Sequence, residues 1–137
     1  MKKILLISCV KSKLDRPAKA KNLYTSTQFK KSLQYANKLK PDKIFILSAK
    51  YGLVELEQVL TPYEKTLKTM SASEKRDWSA KVLSSLRQHV NLNKDLFIIL
   101  AGVDYRKYLL PEIRHYEIPL EGLSQGKQLQ ELNRRLS

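Results

Sequence analysis

Three short apolar runs set the main limits on what this chain can become: "KILLIS" over Lys3–Ser8, "KIFILS" over Lys43–Ser48 and "LFIILA" over Leu96–Ala101. Each is too continuous for a strand with one wet face and too short for a helix, so each reads as a strand covered on both sides. A weaker fourth run spans Tyr116–Pro119. Helical patterns lie between them. Thr25 and Gln28 have capping-box spacing, and Phe29, Leu33 and Ala36 follow at i, i+4 and i+7 until Pro41-Asp42. Ser71 and Glu74 repeat that spacing before a stripe of Trp78, Val82 and Leu86, with Leu83 beside it. A short helix is expected over Asp104–Leu110, and a last one over Gln125–Leu136 with its leucines on one side. Strands alternating with helices imply right-handed crossovers. The expectation is one three-layer α/β domain over residues 1–137, with a mainly parallel sheet of about four strands. Cys9–Tyr24 and Tyr51–Met70 are left as long connections, a length that usually serves function.

The 137 residues suffice for a core without covalent staples, and a hydrophobic share of 42% separates the chain from disordered segments. The opening "MKKILLISCV" has lysines followed by apolar residues, yet the apolar stretch is short and "KSKLDRPAKAK" follows without a cleavage site. It reads as a first strand, and the expected location is cytoplasmic, with no membrane partner. Cys9 is the sole cysteine, so no intramolecular disulfide is expected. With two histidines, no metal site and no cofactor is expected.

Charge is unevenly spread. Residues 1–50 hold 13 Lys/Arg against Asp15 and Asp42, a net of +11, whereas residues 51–137 hold 13 against 11, a net of +2. This favours a polyanionic partner over a merely solvated surface, because neutralised phosphates release counterions. Nucleic acid, DNA ahead of RNA, or a phosphorylated nucleotide is the expected partner. No residue pattern specifies an oligomeric state.

In an open parallel sheet, ligands bind beyond the carboxyl ends of the strands. There the first run leads into Ser8, Cys9, Lys11, Ser12 and Lys13, the second into Ser48, Lys50, Tyr51 and Gly52, and the third into Ala101, Gly102, Asp104 and Tyr105. Small residues let a ligand approach the backbone, and lysines and hydroxyls flank it. Each has a plainer reading. Ser8 and Cys9 also suit packing under a helix, and a nucleophilic Cys9 would need a base that neither His89, placed in a helix, nor His115 supplies. Tyr51 and Tyr63 offer rings for base stacking. In "TPYEKTL", Glu64 has two readings, a carboxylate that activates water or a partner for a neighbouring lysine. Asp104 has helix capping as its alternative. "GLSQG" over Gly122–Gly126 opens the last helix but matches neither a P-loop nor GxGxxG.

"ILLISCVKSK", "LYTSTQFKKSLQYA", "IFILSAKYGLV", "TPYEKTL" and "PLEGLSQGKQLQELN" together resemble small bacterial and phage proteins of the YaaA-like group, related to the peroxide stress protein family. The resemblance implies a uracil-DNA-glycosylase-like architecture and a DNA-binding stress role. It does not extend to glycosylase catalytic residues, since the sequence has no "GQDPYH"-type motif.

Two functions from different classes follow. One is an N-glycosidic hydrolase acting on a nucleobase, with Lys11, Lys13 and Lys50 on phosphate, Tyr51 or Tyr63 on the base and Glu64 positioning water. Ser8, Ser48 and Gly102 then line the pocket. The other is a non-catalytic DNA-binding protein of the YaaA type, in which Glu64 is structural.

Overall fold

The computed structural model describes residues 1–137. Its central strand is β1 (Lys3–Ser8), in which Ile4, Leu5, Leu6 and Ile7 are all buried. β1 pairs in parallel with β3 (Lys43–Ser48) on one side and β6 (Leu96–Leu100) on the other. Leu5 lies opposite both Ile44 and Ile98. A short β7 (His115–Glu117) adds in parallel beyond β6. The fourth run therefore pairs one residue earlier than its apolar pattern suggests, because β7 is exposed at the sheet's edge.

The sheet has five strands, not four. β4 (Gly52–Glu55) turns back antiparallel on β3, giving the order β4-β3-β1-β6-β7. Gly52 makes this possible, since its φ of +73° is one that side-chain-bearing residues rarely adopt. The two long connections are likewise structured. β2 (Ala18–Lys19) pairs antiparallel with β5 (Val59–Leu60), and the four-residue α1 (Ala20–Leu23) follows β2.

Helices flank the sheet. α2 (Thr27–Lys38) connects β1 to β3, and α3 (Ala72–Arg87) carries the chain back from β4 to β6. The two crossovers run in opposite directions along the sheet, so right-handedness puts them on opposite faces. α2 packs against the last helix, α5 (Gln125–Leu136), while α3 packs on β4 and on the four-residue α4 (Val103–Arg106). The buried apolar residues form one contiguous cluster. Within it α3 presents Trp78, Val82, Leu83 and Leu86, as its periodicity predicts.

Caps explain where helices start. Ser71 and Glu74 form the expected reciprocal box, Glu74 N–H donating to Ser71 Oγ at 3.1 Å and Ser71 N–H to Glu74 Oε1 at 3.0 Å. At α2 the cap is Ser26, which accepts from Phe29 N–H at 3.1 Å. The reciprocal box expected from Thr25 and Gln28 does not form, because the Thr25 N–H that Gln28 would need donates to Ser12 O at 3.0 Å. The helix expected over Asp104–Leu110 is instead α4 plus a 3₁₀ turn at Leu110–Glu112. Gly102 occupies its cap position, and Asp104 accepts from Lys75 Nζ at 2.8 Å. His89 lies beyond the end of α3, against Phe45, not within a helix. No helix is long and apolar enough to cross a membrane.

Two carboxylates fix the amino ends of the central strands. Asp95 accepts from Lys2 N–H at 3.0 Å and Asn91 N–H at 2.8 Å, and Asp42 accepts from Lys3 N–H at 2.7 Å. Burial pushes the Asp95 carboxyl up, but the two backbone donors outweigh it and hold the group below its usual 3.8. Replacing Asp95 by Ala strands two backbone donors and should cost roughly 1–3 kcal/mol in urea unfolding. Because the folded carboxyl is the stronger acid, wild-type stability should fall as pH drops below 3.8, and Asp95→Asn should lose that component.

Candidate functional site

The parallel register brings the carboxyl tips of β1, β3 and β6 level, with Ser8 opposite Leu47 and Ile7 opposite Leu100. Pairing runs one residue past β1, where Cys9 N–H donates to Leu47 O at 2.9 Å. Cys9 is 7% exposed. Its Sγ accepts from Ala49 N–H at 3.4 Å and lies 3.4 Å from the Tyr105 hydroxyl. The thiol is therefore packed and hydrogen-bonded, in keeping with the plainer reading of this residue. Neither histidine reaches it. His89 meets Phe45 at a tilt of 47°, and His115 pairs with Leu96 at the opposite, amino edge of the sheet.

Ser48 is the hub of a buried hydroxyl network. Its Oγ accepts from Tyr51 N–H at 3.0 Å and donates to the Tyr63 hydroxyl at 2.8 Å. Tyr63 in turn lies 2.8 Å from the Tyr24 hydroxyl. The Trp78 indole N–H donates to Ser48 O at 2.9 Å, and its ring meets Tyr105 edge-on at 5.6 Å. Burial pushes the Tyr24 phenol up to about 12. Tyr63 and Tyr105 are raised as well, by burial first and then by the charge that a thiolate at Cys9 would carry. All three phenols stay protonated at neutral pH, and with Ser48 donating to Tyr63 the Tyr63 hydroxyl keeps its own proton for a further bond.

Lys13 lies over this network. Its Nζ sits 4.3 Å from the Tyr63 ring centroid and 5.7 Å from that of Tyr24. Desolvation lowers the pKa of its ammonium, against the opposing pull of Cys9 and Glu64. Lys11, Ser12 and Glu64 are exposed around it. Lys50 is exposed too, with Nζ 5.2 Å from the half-buried Tyr51 ring, which meets Tyr63 edge-on at 5.5 Å.

On the other side of β1, where the chain order reverses between β1 and β6, a cavity of about 60 Å³ opens. Ser8 and Gly102 line it from the strand tips, Gln28 and Ser32 from α2, and Gln128 from α5. A switch point of this kind is where open α/β sheets bind ligands. A broader groove of about 280 Å³ follows Lys50, Tyr51, Lys65, Asp77, Trp78 and Lys81.

The residues singled out from the sequence thus fall into three places. Cys9, Ser48, Tyr63 and Tyr105 share the buried network, Lys11, Ser12, Lys13, Lys50, Tyr51 and Glu64 surround its rim, and Ser8 and Gly102 face the cavity. Sequence reasoning missed Tyr24, Trp78, Gln28 and Gln128. Trp78 carried a signal, because a buried indole N–H needs an acceptor. The two glutamines are 100 residues apart and carried none.

The tyrosines give the fold an alkaline limit. An unfolded chain ionises Tyr24 near 10.0 and the folded one near 12, so stability should fall as pH rises between those values. Urea unfolding across that range should show it, with a smaller loss in Tyr24→Phe. At neutral pH that substitution removes one buried hydrogen bond and should cost about 1 kcal/mol.

A model of a family of unknown function, DUF6884, matches residues 4–134. No curated protein matches the chain, and no solved structure does. The resemblance to YaaA-like proteins and to uracil-DNA-glycosylase architecture is corrected by this match, which is to a distinct family, and the stress-response role it implied goes with it. Shared strand-end patterns such as "LISCVKSK" follow from the common demand of a buried parallel strand that ends at a polar edge, and they do not carry descent. The chain belongs to DUF6884.

Proposed function

We propose that the protein binds a phosphorylated nucleotide or nucleic acid, DNA ahead of RNA, along the carboxyl edge of its parallel strands. The observation that carries this reading is the convergence of Lys11, Lys13 and Lys50 around the level tips of β1 and β3. They belong to the third of the chain that holds a net of +11. Lys13 supplies the strongest argument within it. Its ammonium is partly desolvated, and an incoming phosphate oxygen offsets that penalty while releasing counterions. Tyr51 is the ring suited to stacking on a base, since Tyr63 is buried and its hydroxyl is committed to Ser48 and Tyr24.

Hydrolysis of an N-glycosidic bond is the second reading, and the placement of Glu64 favours it. Tyr63 anchors this segment by its buried hydroxyl, so the next residue holds an exposed carboxylate within electrostatic reach of Lys13. A carboxylate held there would orient water and stabilise the oxocarbenium character that develops at the sugar. A base in duplex DNA would first be extruded.

Affinity for single-stranded DNA should fall linearly on a log–log plot against salt. Lys11→Ala and Lys50→Ala should each reduce the slope by about one. A flat response would remove the phosphate reading. In any glycosidic assay that shows turnover, Glu64→Gln should lower the rate about a hundredfold with binding retained. Unchanged turnover would leave Glu64 as a lysine partner only.

A further inference from the structure

The groove between β4 and α3 begins where the lysine rim ends. Lys50 and Tyr51 belong to both, and the Tyr51 ring meets Tyr63, the ring beneath Lys13, edge-on at 5.5 Å. At about 280 Å³ the groove is much larger than the cavity of about 60 Å³ between β1 and β6. Its floor is apolar. Trp78 is buried there, and Tyr51, Leu53 and Met70 are half-buried. The floor is also fixed, because the Trp78 indole is tied to Ser48 O and the Tyr51 hydroxyl donates to Thr61 O at 3.2 Å.

The walls are charged. Lys50, Lys65 and Lys81 come from the turn after β3, the loop before α3 and α3 itself, and all three are exposed. None of them enters an ion pair. The backbone that carries Lys65 is held on both sides, since Tyr63 and Leu67 are buried. Two acids share the groove. Glu74 is committed to the cap of α3, where its Oε1 accepts from Ser71 N–H at 3.0 Å. Its carboxyl is held below the usual carboxylate range by the Ser71 hydrogen bonds, and the charge of Lys65 adds to this. Asp77 is unpaired, one helical turn before Lys81, and the three lysines outnumber it. Aromatic and apolar floor between cationic walls suits a single strand, with bases laid on the floor and phosphates on the lysines. A free nucleotide at the rim would leave Lys65 and Lys81 without an anion.

We infer that this groove holds the nucleotides adjoining the one at the rim, so that the ligand is single-stranded nucleic acid and not a free nucleotide, with Lys65 and Lys81 as phosphate contacts. The inference rests on the phosphate-binding role proposed above and chooses between the ligand classes named there. Unpaired bases fit because their faces are free to meet Tyr51, Leu53 and Met70, whereas in a duplex those faces are stacked on one another.

The native protein is titrated, at several salt concentrations, with thymidine 5′-phosphate and with oligothymidylates of up to about eight nucleotides. Affinity should rise about tenfold or more from the mononucleotide to the longest strand. Lys65→Ala and Lys81→Ala should each flatten the salt dependence of strand binding about as much as Lys50→Ala, while mononucleotide affinity stays within about twofold. Lys94→Ala, at an exposed lysine before β6, should change neither. Several results would each overturn the groove: a strand that binds no more tightly than the mononucleotide, a duplex that binds as tightly as its single strand, a Lys94→Ala effect as large as that of Lys65→Ala, or displacement of the strand by polyglutamate at matched charge. The lysine variants separate this from the rim. If Lys11→Ala and Lys50→Ala flatten the salt dependence while Lys65→Ala and Lys81→Ala do not, the groove falls and the rim stands. If Lys65→Ala and Lys81→Ala flatten it while Lys11→Ala and Lys13→Ala do not, the groove stands and the rim falls. Binding of neither ligand removes both.

Discussion

The register of β1 governs this molecule. It is paired in parallel on both sides and buried along Ile4–Ile7, so a slip of one residue would turn its side chains to the wrong faces and offset the strand tips. Asp42 and Asp95 prevent that slip. Each stands just before a neighbouring strand and accepts a backbone N–H from the first turn of chain, Lys3 and Lys2 respectively. Two carboxylates at the amino edge therefore hold Ser8, Cys9, Ser48 and Ala101 level at the other edge.

At that carboxyl edge the protein separates two kinds of polarity. Towards β3 and β4, hydroxyls, a thiol and an indole satisfy one another in the core, and a lysine lies over the rings. Towards β6 the groups are amides and hydroxyls without formal charge. A network satisfied within itself confers rigidity, whereas a relay that ends on an unpaired buried acceptor, as Gln28–Gln128 does at Gln28 Oε1, costs the fold free energy. The two arrangements share Ser8-Cys9 as a common wall, so the central strand divides a hydroxyl network from an amide-lined cavity.

The sequence made the strands legible because burial on both faces leaves uninterrupted apolar runs, and β1 and β3 have the bounds those runs suggest. It made α3 and α5 legible through caps and periodicity. β4 was hidden, since "GLVE" is too short to show alternation and its pairing depends on the positive φ of Gly52. β2 and β5 have two residues each, below any periodic signal. Lysines at strand ends were readable one by one, but the Gln28–Gln128 relay joins α2 to α5 across the whole chain, and no local pattern encodes such a contact. The family resemblance misled because short polar strand ends recur wherever a parallel sheet needs them.

Ser48 binds three parts of the chain through one residue: the turn into β4, the Tyr63 segment and α3 by way of Trp78. Fraying of the outer hairpin would thus unlatch the aromatic rings and release the Lys13 ammonium at once. The firmness of the rim is tied to a short antiparallel strand, and whatever clamps that hairpin also steadies the rings beneath Lys13.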